Sequence, residues 1–529
     1  MNRSEEIRSG VCCIGIEFGS TRIKAVLTGT DSVPLAAGVF DWSNHLENGI
    51  WTYSLDEVRN GLQTCFADLV SNVNKEYGVR LTSAAAIGIS AMMHGYLAFD
   101  EDGSLLVPFR TWRNSVTGEA ARRLTEAFSF NVPERWSIAH LYQAILNREP
   151  HIGKIAFLTT LAGYVHWLLT GKKVLGIGDA SGMFPIDPKT GTYDSAMMQK
   201  FEEMAAGSGL PARLCGLLPE IVPAGDQAGC LTKEGALLLD PSGSFCAGIP
   251  FCPPEGDAQT GMTATNSITP KTGNVSAGTS IFAMTVLEDS LKAVHREIDI
   301  VMTPCGDPVA MVHCNNCSSD FDAWVGLFGG LLREAGAEMP KAKLYDLLYS
   351  LAVTGSPDCD GVLNYNYIAG EQITELPAGK PMLFRNPDSV FSISNLMRSL
   401  VYSCMATLKI GMDILTGQEQ VKLERIYAHG GLFKTPVASQ PFLAAALGTD
   451  VTLMRSAGEG GAWGIALLAS YTVRADRSMT LPQYLSQKVF AGLQGETVSP
   501  KQEDIDGFNT FMQAYLQGLS AERAAVLPS

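Results

Sequence analysis

A continuous apolar run at residues 11–16 closes on Glu17-Phe18, breaks at Gly19-Ser20-Thr21 and resumes over residues 23–27. Short apolar runs bounded by turn residues predict buried strands, so this segment predicts strand, tight turn, strand. The pattern returns much later: residues 274–277, then Gly278-Thr279-Ser280, then residues 281–286. Between them, residues 84–89 predict a strand leading into the loop 90–95, and residues 97–99 run into the turn Asp100-Glu101-Asp102-Gly103. Residues 155–169 predict a helix ended by Gly171. Leu396, Leu400, Cys404, Leu408 and Met412 form one stripe of a core helix. A strand at 426–428 precedes His429-Gly430-Gly431. Glu459-Gly460-Gly461 opens a helix of small residues through Ala469, and the residues after about 475 predict a helical tail.

At 529 residues the chain is too long for one core and suits two large α/β domains. Their boundary is expected near residues 262–272. Hydrophobic residues at 46% and charged residues at 18% exclude disorder. The net charge of −15 removes the general attraction to phosphate backbones and anionic bilayers, so neither nucleic acid nor membrane is expected as a partner. A small anionic substrate still fits, because local amides and a metal can hold it. No apolar run reaches the roughly 18 residues of a spanning helix. The start carries acidic residues ahead of a short apolar run, too short for a signal-peptide core, so a cytoplasmic location is expected.

Twelve cysteines are scattered as in a reduced intracellular protein. His313-Cys314-Asn315-Asn316-Cys317 places a C-x-x-C beside a histidine. A zinc knuckle would need a second ligand pair that the sequence lacks, so structural thiols are expected there.

Both Gly-Thr/Ser turns carry the parts of a phosphate loop. Glycine lets backbone approach a ligand, and serine and threonine add hydroxyl donors. Either turn alone reads as a plain hairpin. Two of them, each opening a long α/β stretch, suggest two similar domains with a nucleotide between.

The segments IGIEFGSTRIKAVL (14–27), IGISAMMHG (87–95), GDASG (178–182), EGDAQTG (255–261), NVSAGTS (274–280), AHGGLFK (428–434) and EGGAWGIALLA (459–469) follow in order. With them the chain resembles the FGGY carbohydrate kinases, the sugar-kinase branch of the actin-like ATPase fold. The resemblance implies an α/β fold of two ribonuclease-H-like domains, 11–265 and 266–485, with an interdomain active-site cleft and a helical tail at 486–529. It implies ATP mainly against the second domain and the sugar against the first, with Mg²⁺ as cofactor and a homodimer compatible with its relatives. The Met-His-Gly loop looks like that of xylulokinases, and residues 430–434 look more like ribulokinases. Both phosphorylate a ketopentose on its terminal hydroxyl, D-xylulose being the first expectation and L-ribulose the next.

Carried over residue by residue, the resemblance implies that Asp257 is the base taking the hydroxyl proton, in a reaction that otherwise needs positioning and charge neutralisation. It implies that Glu17, where the family usually has Asp, helps hold Mg²⁺. Gly19, Ser20, Thr21 and Arg22 are expected at the phosphates from the first domain, and Gly278, Thr279 and Ser280 from the second. Lys24 is expected to point outward. Gly430 and Gly431 resemble adenosine-binding glycines, although the family more often has three, and Gly460 and Gly461 would close that pocket. Met93, His94, Gly95, Trp112 and Asn114 are implied sugar contacts. The run Trp112-Arg113-Asn114-Ser115 lacks the acidic partner of the xylulokinase Trp-Asn-Asp. Asp179 reads as architectural. Glu17 and the two-glycine loop keep open a second reading, a catalytically weak or inactive sugar- or nucleotide-binding regulator of the same fold. An assembling actin-like ATPase is disfavoured, because the Met-His-Gly and Gly-Asp-Ala-Gln segments suit a small polyol acceptor.

Overall fold

The apolar runs 11–16 and 23–27 become adjacent strands, each shifted by a residue or two from its predicted limits. In the computed structural model, which describes residues 1–454, 460–474, 476, 478–493 and 495–526, β1 (Cys13–Phe18), β2 (Arg22–Thr28) and β3 (Pro34–Asp41) form an antiparallel meander. β4 (Ala86–Ala91) lies parallel to β1, and the short β5 (Glu255–Gly256) parallel to β4. The sheet order is β5-β4-β1-β2-β3.

Cys13, Ile14, Ile16 and Phe18 are all buried, as expected of a strand covered on both faces. On one side lies the helix Leu55–Tyr77, started by a Ser54–Glu57 capping box and buried through Val58, Leu62, Phe66, Leu69 and Val73. On the other lies the helix Gly460–Arg474. Gly15 and Gly88, register partners on β1 and β4, make that second contact possible. A methyl on Gly15 would sit 2.0 Å from the Ala462 carbonyl oxygen, and one on Gly88 would sit 2.6 Å from Ile465. Ile465 is thereby fully buried, which stabilises the fold by about 1.5–3 kcal/mol.

The division of the chain is therefore discontinuous. The first unit takes residues 1–268, 300–309 and the described part of 459–492; the second takes 269–299 and the described parts of 310–458 and 493–529. This differs from the expected continuous domain 266–485, because the helix Gly460–Arg474 buries its apolar face on β1 and β4. The predicted helix 155–169 also differs. Residues Phe157–Thr159 are a strand paired with Leu97–Phe99, and the helix Leu161–Thr170 starts only after Thr160, whose hydroxyl accepts from the Gly163 amide.

The second unit repeats the opening hairpin. β6 (Thr272–Ala277) and β7 (Ile281–Val286) are antiparallel, and β9 (Arg425–His429) lies parallel to β6. With β8 (Pro308–Cys314), β10 (Asp450–Leu453) and β11 (Glu496–Val498) the strands run β8-β7-β6-β9-β10-β11. The stripe from Leu396 to Met412 lies on the helix Ile393–Asp413, capped by Ser392, and each of its residues is buried. Of the expected tail 486–529, residues 486–492 belong to the first unit, and the described residues from 493 on are built into this one. β11 extends the sheet antiparallel to β10, and the helix Gln502–Ala525 buries Phe508, Phe511 and Tyr515, the last stacked on Tyr365 at 4.5 Å.

All twelve cysteines are free thiols. Among the described residues no helix is long and apolar enough to cross a membrane.

Candidate active site

The turn between β1 and β2 has its carbonyls tied inward. The Gly19 carbonyl accepts from Trp42 Nε1 at 2.7 Å, that of Ser20 from the Tyr53 hydroxyl at 2.7 Å, and that of Thr21 from the Trp42 amide at 3.1 Å. The amides and hydroxyls of Ser20 and Thr21 form no hydrogen bond among the described residues and are left for a ligand. In the second unit Gly278 and Thr279 are held in the same manner. The Gly278 carbonyl accepts from the Ser318 hydroxyl at 2.7 Å and the Ser318 amide at 3.1 Å, and that of Thr279 from the Cys317 amide at 3.0 Å. Each unit thus carries a hairpin suited to phosphate oxygens.

Asp257 begins the helix Asp257–Ala264, and its Oδ1 accepts from the amides of Met93 at 3.2 Å and Ala258 at 3.0 Å. Withdrawal from water pushes its pKa up to about 6 against the pull of those amides. A carboxyl tuned towards neutrality suits a general base.

Glu17, at the end of β1, faces the start of the helix Gly460–Arg474, and its Oε2 accepts from the Ala462 amide at 3.1 Å. Burial pushes its pKa up to about 7, the Asp257 charge adds to this, and the Ala462 and Gly461 amides and Lys24 oppose it. A helix start is a favourable place for a carboxylate. Gly461 has no side chain because a Cβ there would lie 2.3 Å from Glu17 Oε1. Gly460 and Gly461 therefore belong beside Glu17 in the first unit. Both stand at the start of that helix, where the sequence places them. Glu459, from the same motif, lies outside the described residues.

No group of three or more His, Cys, Asp or Glu side chains among the described residues is arranged to hold a metal. Magnesium bound with a nucleotide needs only one or two carboxylates, phosphates and water completing its shell. The Glu17 carboxyl, raised by the nearby Asp257 charge, fits that demand.

His94 is buried, with a left-handed φ of 66°, and its Nδ1 lies 3.2 Å from the Gly182 carbonyl. A carbonyl only accepts, so Nδ1 carries the proton. The ring stacks near Trp136 at 6.2 Å. The structure therefore joins Met93 to Asp257 and His94 to the GDASG segment, while Gly95 lies against Phe109 and the Arg110 carbonyl. Within that segment Asp179 is fully buried, and its Oδ2 accepts from the Thr160 hydroxyl at 2.6 Å, in keeping with an architectural role. Its amide and that of Gly178 donate to Glu255, at 2.8 and 3.3 Å. Burial pushes Asp179 up to about 7 and Glu255 up to about 8. Sequence reasoning assigned Glu255 no role. The available signal was a lone acid inside the otherwise apolar and small stretch that precedes Gly256.

Two expected contacts, at Asn114 and Arg22, and one orientation, at Lys24, differ. Asn114 is buried and spends its amide on backbone: Oδ1 accepts from the Trp51 amide, while Nδ2 donates to the carbonyls of Trp51 and Thr111, all at 2.8–3.0 Å. It pins the loop carrying the half-buried Trp112. Arg22 is exposed, and its Nε donates to Asp41, its register partner on β3, at 2.6 Å. Lys24 is the register partner of Glu17, so it shares that face of the sheet and acts on the Glu17 charge.

In the second unit, Gly430 has φ 106°, and a Cβ on it would lie 2.3 Å from the Ala277 carbonyl oxygen. Its role is to let β9 end against the residue preceding Gly278. Gly431 is exposed and meets nothing within 4 Å, which leaves a bare backbone face. Cys314 and Cys317 are buried thiols, and the Asn316 amide between them bonds Ala369 and Glu371 at 3.1 Å each. That run is structural.

Residues 12–263 match the N-terminal domain of the FGGY family of carbohydrate kinases, and residues 273–473 match its C-terminal domain. A xylulose kinase from Haemophilus influenzae is 23% identical over 401 residues, 71% of this chain and 76% of the relative. The ligand-bound xylulose kinase from Lactobacillus acidophilus superposes with a TM-score of 0.78 at 16% identity, covering 97% of this chain and 99% of that one. The gluconate kinase of the same organism gives 0.77 at 16% identity, covering 97% and 98%. With two family domains spanning most of its length and the two-domain α/β fold of those kinases, the chain belongs to the FGGY family of carbohydrate kinases.

Proposed function

We propose that this carbohydrate kinase transfers the γ-phosphoryl group of ATP to the terminal hydroxyl of a ketopentose, D-xylulose first and L-ribulose next. The observation that carries the reading is Asp257 held by the Met93 amide beside His94, a tuned carboxyl at a loop suited to sugar hydroxyls. The Haemophilus relative, itself a xylulose kinase, supports the choice of sugar.

Asp257 accepts the proton of the attacking hydroxyl as the oxygen approaches the γ-phosphorus. His94 and the neighbouring backbone orient the sugar. The amides and hydroxyls of Ser20 and Thr21 in one unit, and of Thr279 and Ser280 in the other, hold phosphate oxygens. The bare backbone at Gly431 takes the flat base. Mg²⁺, held by Glu17, would neutralise charge on the phosphates. A cytoplasmic location belongs to the same reading, supported by the twelve free thiols.

A coupled ADP-release assay over a panel of ketoses, aldonates and polyols tests the proposal. Turnover with ketopentoses above all others is the expected result. Turnover confined to gluconate or glycerol would replace the substrate. Tight sugar binding with no turnover would favour the regulator, for which Glu17, already engaged by a helix start, is the supporting observation.

A further inference from the structure

A closed circuit of contacts runs through the first unit around Asp257. Asp257 Oδ1 accepts from the Met93 amide. The next residue, His94, donates Nδ1–H to the Gly182 carbonyl. Gly182 ends the short helix Ile177–Ser181, and that helix begins with the amides of Gly178 and Asp179 donating to the two oxygens of Glu255. Glu255 returns to Asp257 through Gly256 alone. From the geometry we infer that Glu255 is a positioning residue, which sets the place of His94 against Asp257 through the segment 177–182. The inference rests on the sugar-kinase reading only for its kinetic consequence.

The packing leaves this circuit little slack. A Cβ on Gly178 would lie 2.5 Å from Glu255 Oε2, and one on Gly182 would lie 2.7 Å from His94 Nδ1 and 3.0 Å from Met93 Cε. Gln259, on the Asp257 helix, donates Nε2 to the Gly178 carbonyl at 3.3 Å and to that of Met302 at 3.1 Å. The Ser181 hydroxyl donates to the Gly178 carbonyl at 2.6 Å and accepts from the Met302 amide at 2.9 Å. Glu255 itself is 1% exposed, so water does not substitute for the amides of Gly178 and Asp179. Replacing one carboxylate oxygen by an amide NH₂ turns one of these contacts into donor against donor, which frees the helix start and shifts Gly182.

Glu255→Gln keeps shape and volume, and two measurements read its effect. In ¹⁵N-histidine NMR, His94, assigned by its loss in His94→Asn, should show the Nδ1–H tautomer in the wild type and a shifted or broadened signal in Glu255→Gln. In kinetics, the variant should raise the sugar KM and lower kcat by about tenfold each, with the ATP KM unchanged. Its effect on kcat/KM should be non-additive with His94→Asn. If Glu255→Gln fails to fold, Gly182→Ala carries the same expectations, since its methyl presses on the His94 ring. An unchanged His94 resonance in a folded variant, or additive losses, would overturn the positioning role. If the resonance shifts as expected while the wild type phosphorylates no sugar, the positioning stands and the kinase reading of the site fails.

Discussion

The Met93 amide donates to Asp257 Oδ1 over 3.2 Å and so ties the Met-His-Gly loop directly to the candidate base. The bond joins residues 164 positions apart. It orients one carboxylate oxygen, and it restrains the rise in pKa that burial imposes.

Asp257→Asn keeps this geometry but cannot take a proton from the hydroxyl. The variant should fold, bind ATP with near-wild-type affinity and lose about 10²–10⁴-fold in sugar phosphorylation. Asp179→Asn, in the neighbouring segment, should chiefly change stability. Kinetics and thermal melts on both variants check this. An active Asp257→Asn beside a folded, inactive Asp179→Asn would exchange their roles.

Activity should follow the ionisation of Asp257. The base works deprotonated and its pKa is pushed up to about 6, so kcat/KM for the sugar should rise with pH through that value and level off above it. A profile that is flat from about pH 5 to about pH 8 would remove Asp257 as the titrating base.

Stability should run the opposite way. Asp179 and Glu255 are raised to about 7 and about 8 in the fold, against roughly 4 in an unfolded chain. The folded state holds their protons longer, so this contribution is full below about pH 4 and is lost as pH rises towards 7–8. Thermal midpoints should fall over that window, and Asp179→Asn should flatten the slope. A midpoint rising steadily from pH 5 to 8, unaltered by that substitution, contradicts the burial of these acids.

At Glu17, Glu17→Ala removes both the proposed metal-holding carboxyl and a partner of the Ala462 amide. The variant should need more Mg²⁺ for half-maximal activity and lose about 0.5–2 kcal/mol from the uncapped helix start. Glu17→Asp should retain activity. Normal turnover of Glu17→Ala at low Mg²⁺ would leave Glu17 only its structural part.

Gly15→Ala tests how the helix Gly460–Arg474 lies on the sheet. Its methyl would meet the Ala462 carbonyl oxygen at 2.0 Å, so a loss of at least about 1–3 kcal/mol is expected in denaturant unfolding. A neutral effect would mean that the helix can lift away.

Local pattern was enough for the pieces whose chemistry is local. The hairpin turns at Gly19 and Gly278 were legible because a strand–turn–strand signal occupies adjacent residues. The same holds for the stripe from Leu396 to Met412, whose period is a property of one helix. The resemblance reached Asp257 and the Met-His-Gly loop because short motifs carry them. Tertiary structure alone decided that Glu17 meets Ala462 across 445 positions, that Asn114 is consumed by the Trp51 backbone, and that Glu255 binds the amides of Gly178 and Asp179. It also returned the helix Gly460–Arg474 to the first unit. A hydrogen bond or a buried face depends on which atoms come within a few ångströms after the whole chain has packed. The spacing of residues along the chain holds no record of that distance.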